Sequence, residues 1–353
     1  RQDPNACVFE KMVPGTEEAL APATRGRGSY LLLNFYKENA HPLIDVYEGK
    51  ISLDEFTAQL DDDDLIHLLG GQPNTSVANT YGYGNLPEYG VPNIMTADGP
   101  AGLRITPQCE VCTTAWPCAT LLASTWNPAL VEQVGTAGAE EVKENNIAVW
   151  LTPAVNIHRN PLCGRNFEYY SEDPFLSGKM AAAVVRGVQE EGTCGAVIKH
   201  FACNNQEDNR MFTNAHISER ALREIYLKGF EIAVKTAQPY AIMTSYNLIN
   251  GTHAANHYDM LQNVARDEWG FEGFIMTDWY TSQDTTALGM VSESGKYSYS
   301  DGVQCIKAGN DLQMPGCRKN VEDIVDGVKN GRITKADLQR CAKHILGIAL
   351  KTI

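Results

Sequence analysis

Gly273-Phe-Ile-Met-Thr-Asp278-Trp279 joins an apolar run directly to a carboxylate. A short strand that is apolar at almost every position is typical of parallel sheets whose two faces are both covered by helices. Similar runs recur at 91–97, 119–124, 147–157, 195–199, 240–245 and, more briefly, 311–314. About seven such units in roughly 300 residues favour a closed barrel over an open sheet. We therefore predict an α/β fold, a (β/α)8 TIM-type barrel.

Helical stretches separate these strands, and capping residues mark their first turns. Ser52 and Glu55 have the spacing of a capping box, so a helix is predicted to begin there and to run to Leu69. The other helices are predicted from Asn127-Pro128, at 176–191, from Ser218 to Lys235, at 259–269, at 301–308 and from Thr334. Helices in these positions would connect successive parallel strands.

The predicted barrel covers residues 51–353, and residues 1–50 are predicted to be a linker or interdomain segment. Proline and glycine interrupt this segment, and its one apolar stretch, at 30–36, would pair with something outside the chain. The first residues include no Met and no signal-peptide core, so we expect a processed or trimmed product. The ten cysteines favour reduced thiols in a cytoplasmic protein. Sequons at Asn74 and Asn250 keep secretion open.

Charge and composition exclude several classes of function. The net charge is −14 and the pI about 5.0, which argues against a nucleic-acid partner and an anionic membrane surface. No apolar run approaches the ~20 residues that span a bilayer. No Gly-x-Gly-x-x-Gly turn follows the first strand, so no dinucleotide cofactor is predicted. Cys109-x-x-Cys112 and Cys118 hint at zinc, but without an evident fourth ligand no metal is predicted. The sequence leaves a homo-oligomer open.

Polar residues follow the predicted strands at the points where each strand ends. They include Asp98, Lys199-His200, Tyr246 and Asp278-Trp279, and the segment from Arg165 to Glu168 follows the third strand region. Each alone fits a structural role such as a helix cap or an ion pair. In a barrel, however, the carboxyl ends of the strands meet at one mouth, where active sites lie. We therefore predict that these side chains converge.

This set of side chains suits sugar chemistry. A retaining glycosidase needs an ionised carboxylate that attacks the anomeric carbon, and Asp278 is the candidate. Asp98, Arg165, Lys199 and His200 would bind sugar hydroxyls, and Trp279 would offer an aromatic face. The neighbouring cations are expected to lower the pKa of the nucleophile and keep it deprotonated.

Four ordered motifs carry a resemblance to a known family. They are Thr96-Ala-Asp98-Gly-Pro-Ala-Gly-Leu-Arg104, Gly164-Arg165-Asn-Phe-Glu168-Tyr-Tyr-Ser-Glu-Asp-Pro174, Lys199-His200-Phe201 and Gly273-Phe-Ile-Met-Thr-Asp278-Trp279. Together they resemble the barrel domain of glycoside hydrolase family 3 over roughly residues 51–353. The resemblance implies that Asp278 is the nucleophile and that Met243 lines the pocket. It implies that the sugar is bound by Asp98, Arg104, Arg165, Lys199, His200 and Tyr246.

The resemblance also implies that a second α/β domain supplies the acid/base carboxylate. The family's single-domain N-acetylglucosaminidases use a His-Asp dyad after the Lys-His motif, and residues 201–209 lack that pattern. Residues 53–92 resemble the permuted members, in which the α/β domain precedes the barrel. We therefore expect the acid on a missing domain, part of the same precursor or of another chain. Glu207 or Asp208 is the alternative acid within this chain.

The predicted reaction is release of β-D-glucose from the non-reducing end of a β-glucoside or cello-oligosaccharide. A β-xylosidase and an exo-glucanase of the same family are alternatives, although Trp279 stands where xylose-preferring relatives tend to have Cys. Two readings from other classes remain open. One is a Schiff-base aldolase that uses Lys199, and the other is a non-catalytic sugar-binding subunit.

Overall fold

The computed structural model of the chain describes residues 36–352 except 38, 284 and 286–294. The apolar run predicted at 30–36 therefore lies, except for Tyr36, outside the described residues. Within them the strands are β1 (Gly82–Leu86), β2 (Val91–Ala97), β3 (Val149–Trp150), β4 (Gly195–Phe201), β5 (Asn214–Ala215), β6 (Ala241–Thr244), β7 (Leu248–Ile249), β8 (Thr252–His253) and β9 (Phe274–Thr277). Six of them form a sheet in the order β1-β2-β3-β4-β6-β9, and β5, β7 and β8 form a small second sheet.

Isolated backbone pairings close the six-stranded sheet into a ring. Leu312 pairs in parallel with Met276 of β9, and Gln313 pairs in parallel with Gly70. Gln72 then pairs antiparallel with Gly82 of β1. Six strands and two short segments thus surround one interior, which confirms the predicted TIM-type barrel.

One barrel strand runs against the others. β1 is antiparallel to β2, with Gly82 opposite Met95, whereas β2, β3, β4, β6 and β9 are parallel. The connection between β1 and β2 is the 3₁₀ turn Pro87–Tyr89. A connection this short joins antiparallel neighbours only, because a parallel crossover needs a dozen or more residues.

The helices cover the outside and one end of the barrel. In the described residues they are α1 (Leu43–Tyr47), α2 (Leu53–Ala58), α3 (Asp62–Leu68), α4 (Ala119–Ser124), α5 (Pro128–Glu144), α6 (Pro174–Gln189), α7 (Glu219–Ala221), α8 (Lys228–Ala237), α9 (Gly302–Ala308), α10 (Arg318–Lys329) and α11 (Lys335–Ala349), with π-helical segments at Leu222–Tyr226 and Asp259–Glu268. The described helices include none that is both apolar enough and long enough to cross a bilayer.

Several of the predicted elements differ in the structure, and the strand region predicted at 147–157 is a strand only at Val149–Trp150. Ser52 and Glu55 do form a capping box, but the helix ends at Ala58 because Asp61 and Asp64 form a second capping box that begins α3. The strand predicted at 119–124 is helix α4. Its Ala and Leu residues favour a helix, and the buried ones recur at a spacing of three and four, so the prediction of a strand was wrong.

Alternate residues of the barrel strands face two different parts of the core. Val197 and Met276 belong to the cluster that includes the barrel interior, whereas Ile198 packs with the surrounding helices. Because side chains alternate along a strand, positions two residues further on face the interior again. Those positions are Lys199 and Asp278, so both side chains point into the mouth of the barrel.

The end of the 1–50 segment packs on the barrel. The amide N–H of Lys37 donates to the carbonyl of Glu88 at 2.8 Å, and Leu43 of α1 is fully buried. Leu43 belongs to the cluster that includes the barrel interior. The interpretation of the segment as a linker between domains stays a prediction.

Candidate active site

Asp278 lies at the carboxyl end of β9 and is 8% exposed. Its amide N–H donates to the carbonyl of Thr244, 3.2 Å away on the adjacent strand β6. The amide N–H of Trp279 donates to Asp278 Oδ1 at 2.7 Å, and the hydroxyl of Tyr246 lies close to the same carboxylate. Nε2 of the His200 ring is 3.7 Å from Oδ2. The carboxylate is therefore buried with few partners.

Burial decides the direction in which the pKa of Asp278 shifts. Burial raises this pKa, and the positive charges of Arg165 and Lys199 oppose the rise without cancelling it. The cations lower the pKa as predicted, but the net shift of the Asp278 pKa is upward. Arg165 and Lys199 act in the expected direction, but the loss of water around the carboxylate has the larger effect.

His200 is buried beside Asp278 and contacts Arg165. Nη2 of Arg165 is 2.9 Å from His200 Nε2, and the hydroxyl of Tyr169 is 3.5 Å from His200 Nδ1. Burial lowers the pKa of His200 well below its ordinary value, and the charges of Arg165, Lys199 and Arg210 lower it further. The ring is therefore neutral at physiological pH.

Asn156 holds the backbone of His200 from the neighbouring part of the barrel. Its Oδ1 accepts the amide N–H of His200 at 2.8 Å, and its Nδ2 donates to the His200 carbonyl at 2.9 Å. Asn156 was missed in the sequence. The available signal was an amide side chain inside the apolar run 147–157, because a buried amide needs hydrogen-bond partners.

Arg165 links the His200 ring to a buried carboxylate. Its Nε pairs with Oε1 of Glu168, which lies in the 3₁₀ turn Asn166–Glu168 and is 4% exposed. A second carboxylate, Glu207, is 4.0 Å from the same Nε. Burial lowers the pKa of Arg165, but Tyr169, Glu168 and Asp278 together outweigh that effect and raise it. Arg165 is therefore a permanent cation.

Asp98 forms a second charged group at the mouth. Its Oδ1 is 2.5 Å from Nζ of Lys199, and its Oδ2 is 3.0 Å from Nη1 of Arg104. Burial raises the pKa of Asp98, but Lys199 and Arg104 outweigh burial and hold the pKa below its ordinary value. The Lys199 side chain is 3% exposed and that of Asp98 is 25% exposed. Asp98 is thus ionised and partly exposed.

The other predicted residues are Tyr246, Met243 and Trp279. Tyr246 is buried, and the guanidinium of Arg210 is 4.8 Å from the centre of its ring. Burial and the charge of Asp278 raise the pKa of Tyr246 well above its ordinary value, so its hydroxyl remains a donor. Met243 is buried in the interior cluster, against which the partly exposed Trp279 packs. Arg210 was missed in the sequence because it lies on a loop rather than at a strand end.

The cysteine pattern does not assemble into a site in the described residues. Cys109 is buried and Cys112 is exposed. In the part of the chain that the structure describes, no group of three or more His, Cys, Asp or Glu side chains could hold a metal ion. The hint of zinc at Cys109, Cys112 and Cys118 therefore gains no support.

Comparison with known proteins gives a family match. Residues 84–348 match the model described as "Glycosyl hydrolase family 3 N terminal domain". "Beta-glucosidase A" of Butyrivibrio fibrisolvens is 50% identical over 297 residues, covering 84% of this chain and 33% of that protein. "Exo-alpha-(1->6)-L-arabinopyranosidase" of Bifidobacterium breve is 45% identical over 272 residues, covering 74% of this chain and 33% of that protein.

Solved structures are similar as well. A β-glucosidase from Paenibacillus barengoltzii has a TM-score of 0.80 at 41% identity, covering 91% of this chain and 36% of that one. β-Glucosidase 3B from Thermotoga neapolitana in complex with α-D-glucose has a TM-score of 0.77 at 44% identity, covering 85% of this chain and 43% of that one. The chain spans about a third (33%) of the length of the curated relatives named above.

Proposed function

Because the chain belongs to glycosyl hydrolase family 3, we propose that it carries the nucleophile half of a retaining β-glucosidase active site. Asp278 is the nucleophile. The observation that carries this assignment is a buried carboxylate at a barrel strand end, whose Oδ1 accepts the Trp279 N–H while Oδ2 faces the neutral ring of His200 at 3.7 Å. A carboxylate oxygen without an ion-pair contact is available to attack an anomeric carbon.

The charged side chains around Asp278 bind the sugar hydroxyls. Asp98, Lys199 and Arg104 form one charged group, and Arg165 and His200 form the other. Charge-assisted hydrogen bonds are stronger than neutral ones, so a hydroxyl that replaces part of these contacts is bound well. Met243, Tyr246 and Trp279 form the apolar and aromatic walls.

The sugar is β-D-glucose at the non-reducing end of a β-glucoside or cello-oligosaccharide. The names of the relatives support glucose, although those between 40 and 50% identity include both β-glucosidases and arabinopyranosidases. Specificity constants for matched aryl glycosides of β-glucose, β-xylose and α-L-arabinopyranose test this choice. A higher constant for either pentoside contradicts it, and a β-xylosidase or an α-L-arabinopyranosidase then becomes the better description.

The general acid is supplied by another domain or chain. A general acid must bring its carboxyl group to the leaving oxygen, and a carboxylate already held in an ion pair is poorly placed for that role. Asp98 faces Lys199, Glu168 pairs with Arg165, and Oε2 of Glu207 accepts from Arg210 at 2.9 Å. The relatives extend far beyond the part that this chain matches, which leaves room for a domain that bears the acid.

Two alternative functions, from other classes of protein, are less well supported. A Schiff-base aldolase needs an uncharged lysine, whereas Nζ of Lys199 is 2.5 Å from Asp98. A non-catalytic sugar-binding subunit would bind glucose and hydrolyse no glucoside, and the turnover experiment distinguishes it.

The cytoplasmic location rests on the buried thiols of Cys194, Cys203, Cys305 and Cys341. A homo-oligomer stays a prediction.

The test compares two leaving groups on residues 1–353 alone. An aryl glucoside whose leaving group is an acidic phenol needs no proton on the leaving oxygen, so we expect it to form the covalent glucosyl-enzyme ester at a measurable rate. Cellobiose needs that proton, so we expect its hydrolysis to be very slow. Adding the remainder of the protein should restore cellobiose hydrolysis, and Asp278→Asn is the matched inactive control. Full cellobiose turnover by residues 1–353 contradicts the missing acid. Glu207→Gln and Asp208→Asn would then identify which of the two replaces it.

A further inference from the structure

The contacts of the His200 ring determine which of its nitrogens carries the proton. Nη2 of Arg165 is 2.9 Å from Nε2 of His200. A guanidinium can only donate, so Nε2 must accept, and a neutral imidazole then carries its single proton on Nδ1. The group nearest to Nδ1 among the hydrogen-bond contacts is the hydroxyl of Tyr169 at 3.5 Å, which can accept it. Burial and the nearby cations, which lower the pKa of His200, support the neutral form.

The orientation of Arg165 depends on Glu168. Glu168 is 4% exposed and pairs with Nε of Arg165, while Nη2 of the same planar group reaches His200. The competing carboxylate, Glu207, is 4.0 Å from that Nε and is already paired with Arg210 at 2.9 Å. Because the guanidinium is a rigid fork, fixing its Nε also fixes the direction of Nη2.

We propose that Glu168 is a positioning residue, which aims Arg165 at His200 and holds that ring as its Nδ1-protonated tautomer. The consequence, which rests on the proposed role of Asp278, concerns the attacking oxygen. With the proton on Nε2, the N–H of His200 would face Asp278 Oδ2 from 3.7 Å, and its dipole would stabilise the carboxylate and weaken it as a nucleophile. With the proton on Nδ1, Oδ2 faces an acceptor and stays free for the anomeric carbon.

The tautomer can be read directly by nuclear magnetic resonance. The intact protein is labelled with ring-¹⁵N histidine, and long-range ¹H–¹⁵N correlations are recorded without substrate. The signals of His200, one of eight histidines, are assigned by their loss in His200→Gln. We expect Nε2 of His200 at the shift of an unprotonated nitrogen and Nδ1 at that of a protonated one. A protonated Nε2 overturns the proposal whether or not the protein hydrolyses glucosides, whereas the expected pattern in an inactive protein contradicts only the proposed function.

Variants test the role of Glu168. Glu168→Ala should raise the fraction of Nε2-protonated His200 and lower kcat on an aryl glucoside on the order of 10- to 100-fold. Glu168→Gln keeps an acceptor oxygen and should restore both in part. Glu219→Ala removes an exposed carboxylate paired with Arg223 and should change neither. A Glu168→Ala protein that melts earlier but keeps the tautomer and the kcat of the parent overturns the proposal, and if that variant does not fold, the spectrum of the parent protein still decides.

Discussion

Two buried carboxylates lie beside strand β9 and differ in how completely they are paired. Asp311, beside the second residue of the strand, accepts from Arg266 at 2.6 Å and from the Ile275 amide at 2.8 Å, and its other oxygen is 2.9 Å from Nδ1 of His344. Asp278, directly after the strand, has the Trp279 amide and the Tyr246 hydroxyl. The first is saturated with partners and the second is not.

The pKa values of the two carboxyls shift in opposite directions. Burial raises both, but His344 and Arg266 outweigh it at Asp311, so that its pKa falls below the ordinary value. At Asp278 burial prevails and the pKa rises. Breaking the pairs of a fully partnered buried carboxylate destabilises the fold, whereas a buried carboxylate with few partners and a raised pKa is a candidate functional group. The comparison thus assigns a structural role to Asp311 and a functional role to Asp278, although both lie beside the same strand.

The largest expected effect is that of Asp278→Asn on turnover. Removing the nucleophile should lower kcat on an aryl β-glucoside on the order of 10⁴-fold or more, because it removes an interaction of the transition state. The melting temperature should stay or rise, since a buried and poorly paired charge is lost. Steady-state kinetics and thermal unfolding check both expectations. A variant that melts much earlier would place Asp278 with Asp311 as a structural group.

Asp311→Asn should have the opposite profile. Breaking this buried ion pair should cost about 3–5 kcal/mol of unfolding free energy, because Arg266 is left buried without its partner. The pKa of Asp311 is lowered in the folded state, so its contribution is present above the unfolded pKa and is lost as the pH falls through the folded one. Denaturant unfolding at several pH values measures this.

The matched control for Asp311 is Glu322→Gln. Glu322 pairs with Arg318 on the surface, and both side chains are exposed. Exposed pairs contribute little, so this change should stay within about 0.5 kcal/mol. Equal losses of unfolding free energy in Glu322→Gln and Asp311→Asn would show that burial does not decide the effect.

Asp98→Asn tests an intermediate case, a carboxylate that is fully paired but partly exposed. It loses charge-assisted bonds worth roughly 1.5–3 kcal/mol each, so kcat/KM should fall about 10- to 100-fold if sugar hydroxyls share them. Arg104→Met removes the more exposed of its cations and should have a smaller effect. Specificity constants measure both, and unchanged kinetics in Asp98→Asn would remove this residue from the sugar site.

The smallest expected effect is a shift in the pH dependence of kcat/KM. Because the pKa of Asp278 is raised, the acidic limb of kcat/KM in the intact protein should lie above the ordinary Asp value of about 3.9. Arg165 opposes the rise, so Arg165→Gln should move this limb to still higher pH while also lowering the rate. Normalised pH profiles show the midpoint. A limb that moves to lower pH contradicts the assignment of Asp278 to it.

The sequence predicted the strand ends well because each apolar run stops at a polar residue that is visible without knowledge of contacts. It did not predict how the ring closes, since 70–72 and 312–313 pair with distant partners through single bridges. Helix α4 was mistaken for a strand because short apolar runs fit both. The hydrogen bonds around His200 were also missed, because Asn156 and Tyr169 are distant from His200 in the sequence and lie beside it only in the folded chain. The upward shift in the pKa of Asp278 depends on its burial, which a sequence does not give.

Covalent trapping tests the central assignment most directly. A 2-fluoro-β-glucoside with an activated leaving group should form a stable ester on the nucleophile of the intact protein, because the fluorine slows both steps and the activated leaving group speeds only the first. Peptide mapping should find one added 2-fluoroglucosyl group, on Asp278 within Gly273–Trp279. Asp278→Asn is the control and should take no label. A label on Asp98, Glu168 or Glu207 in the parent protein, with Asp278 unmodified, would contradict the account.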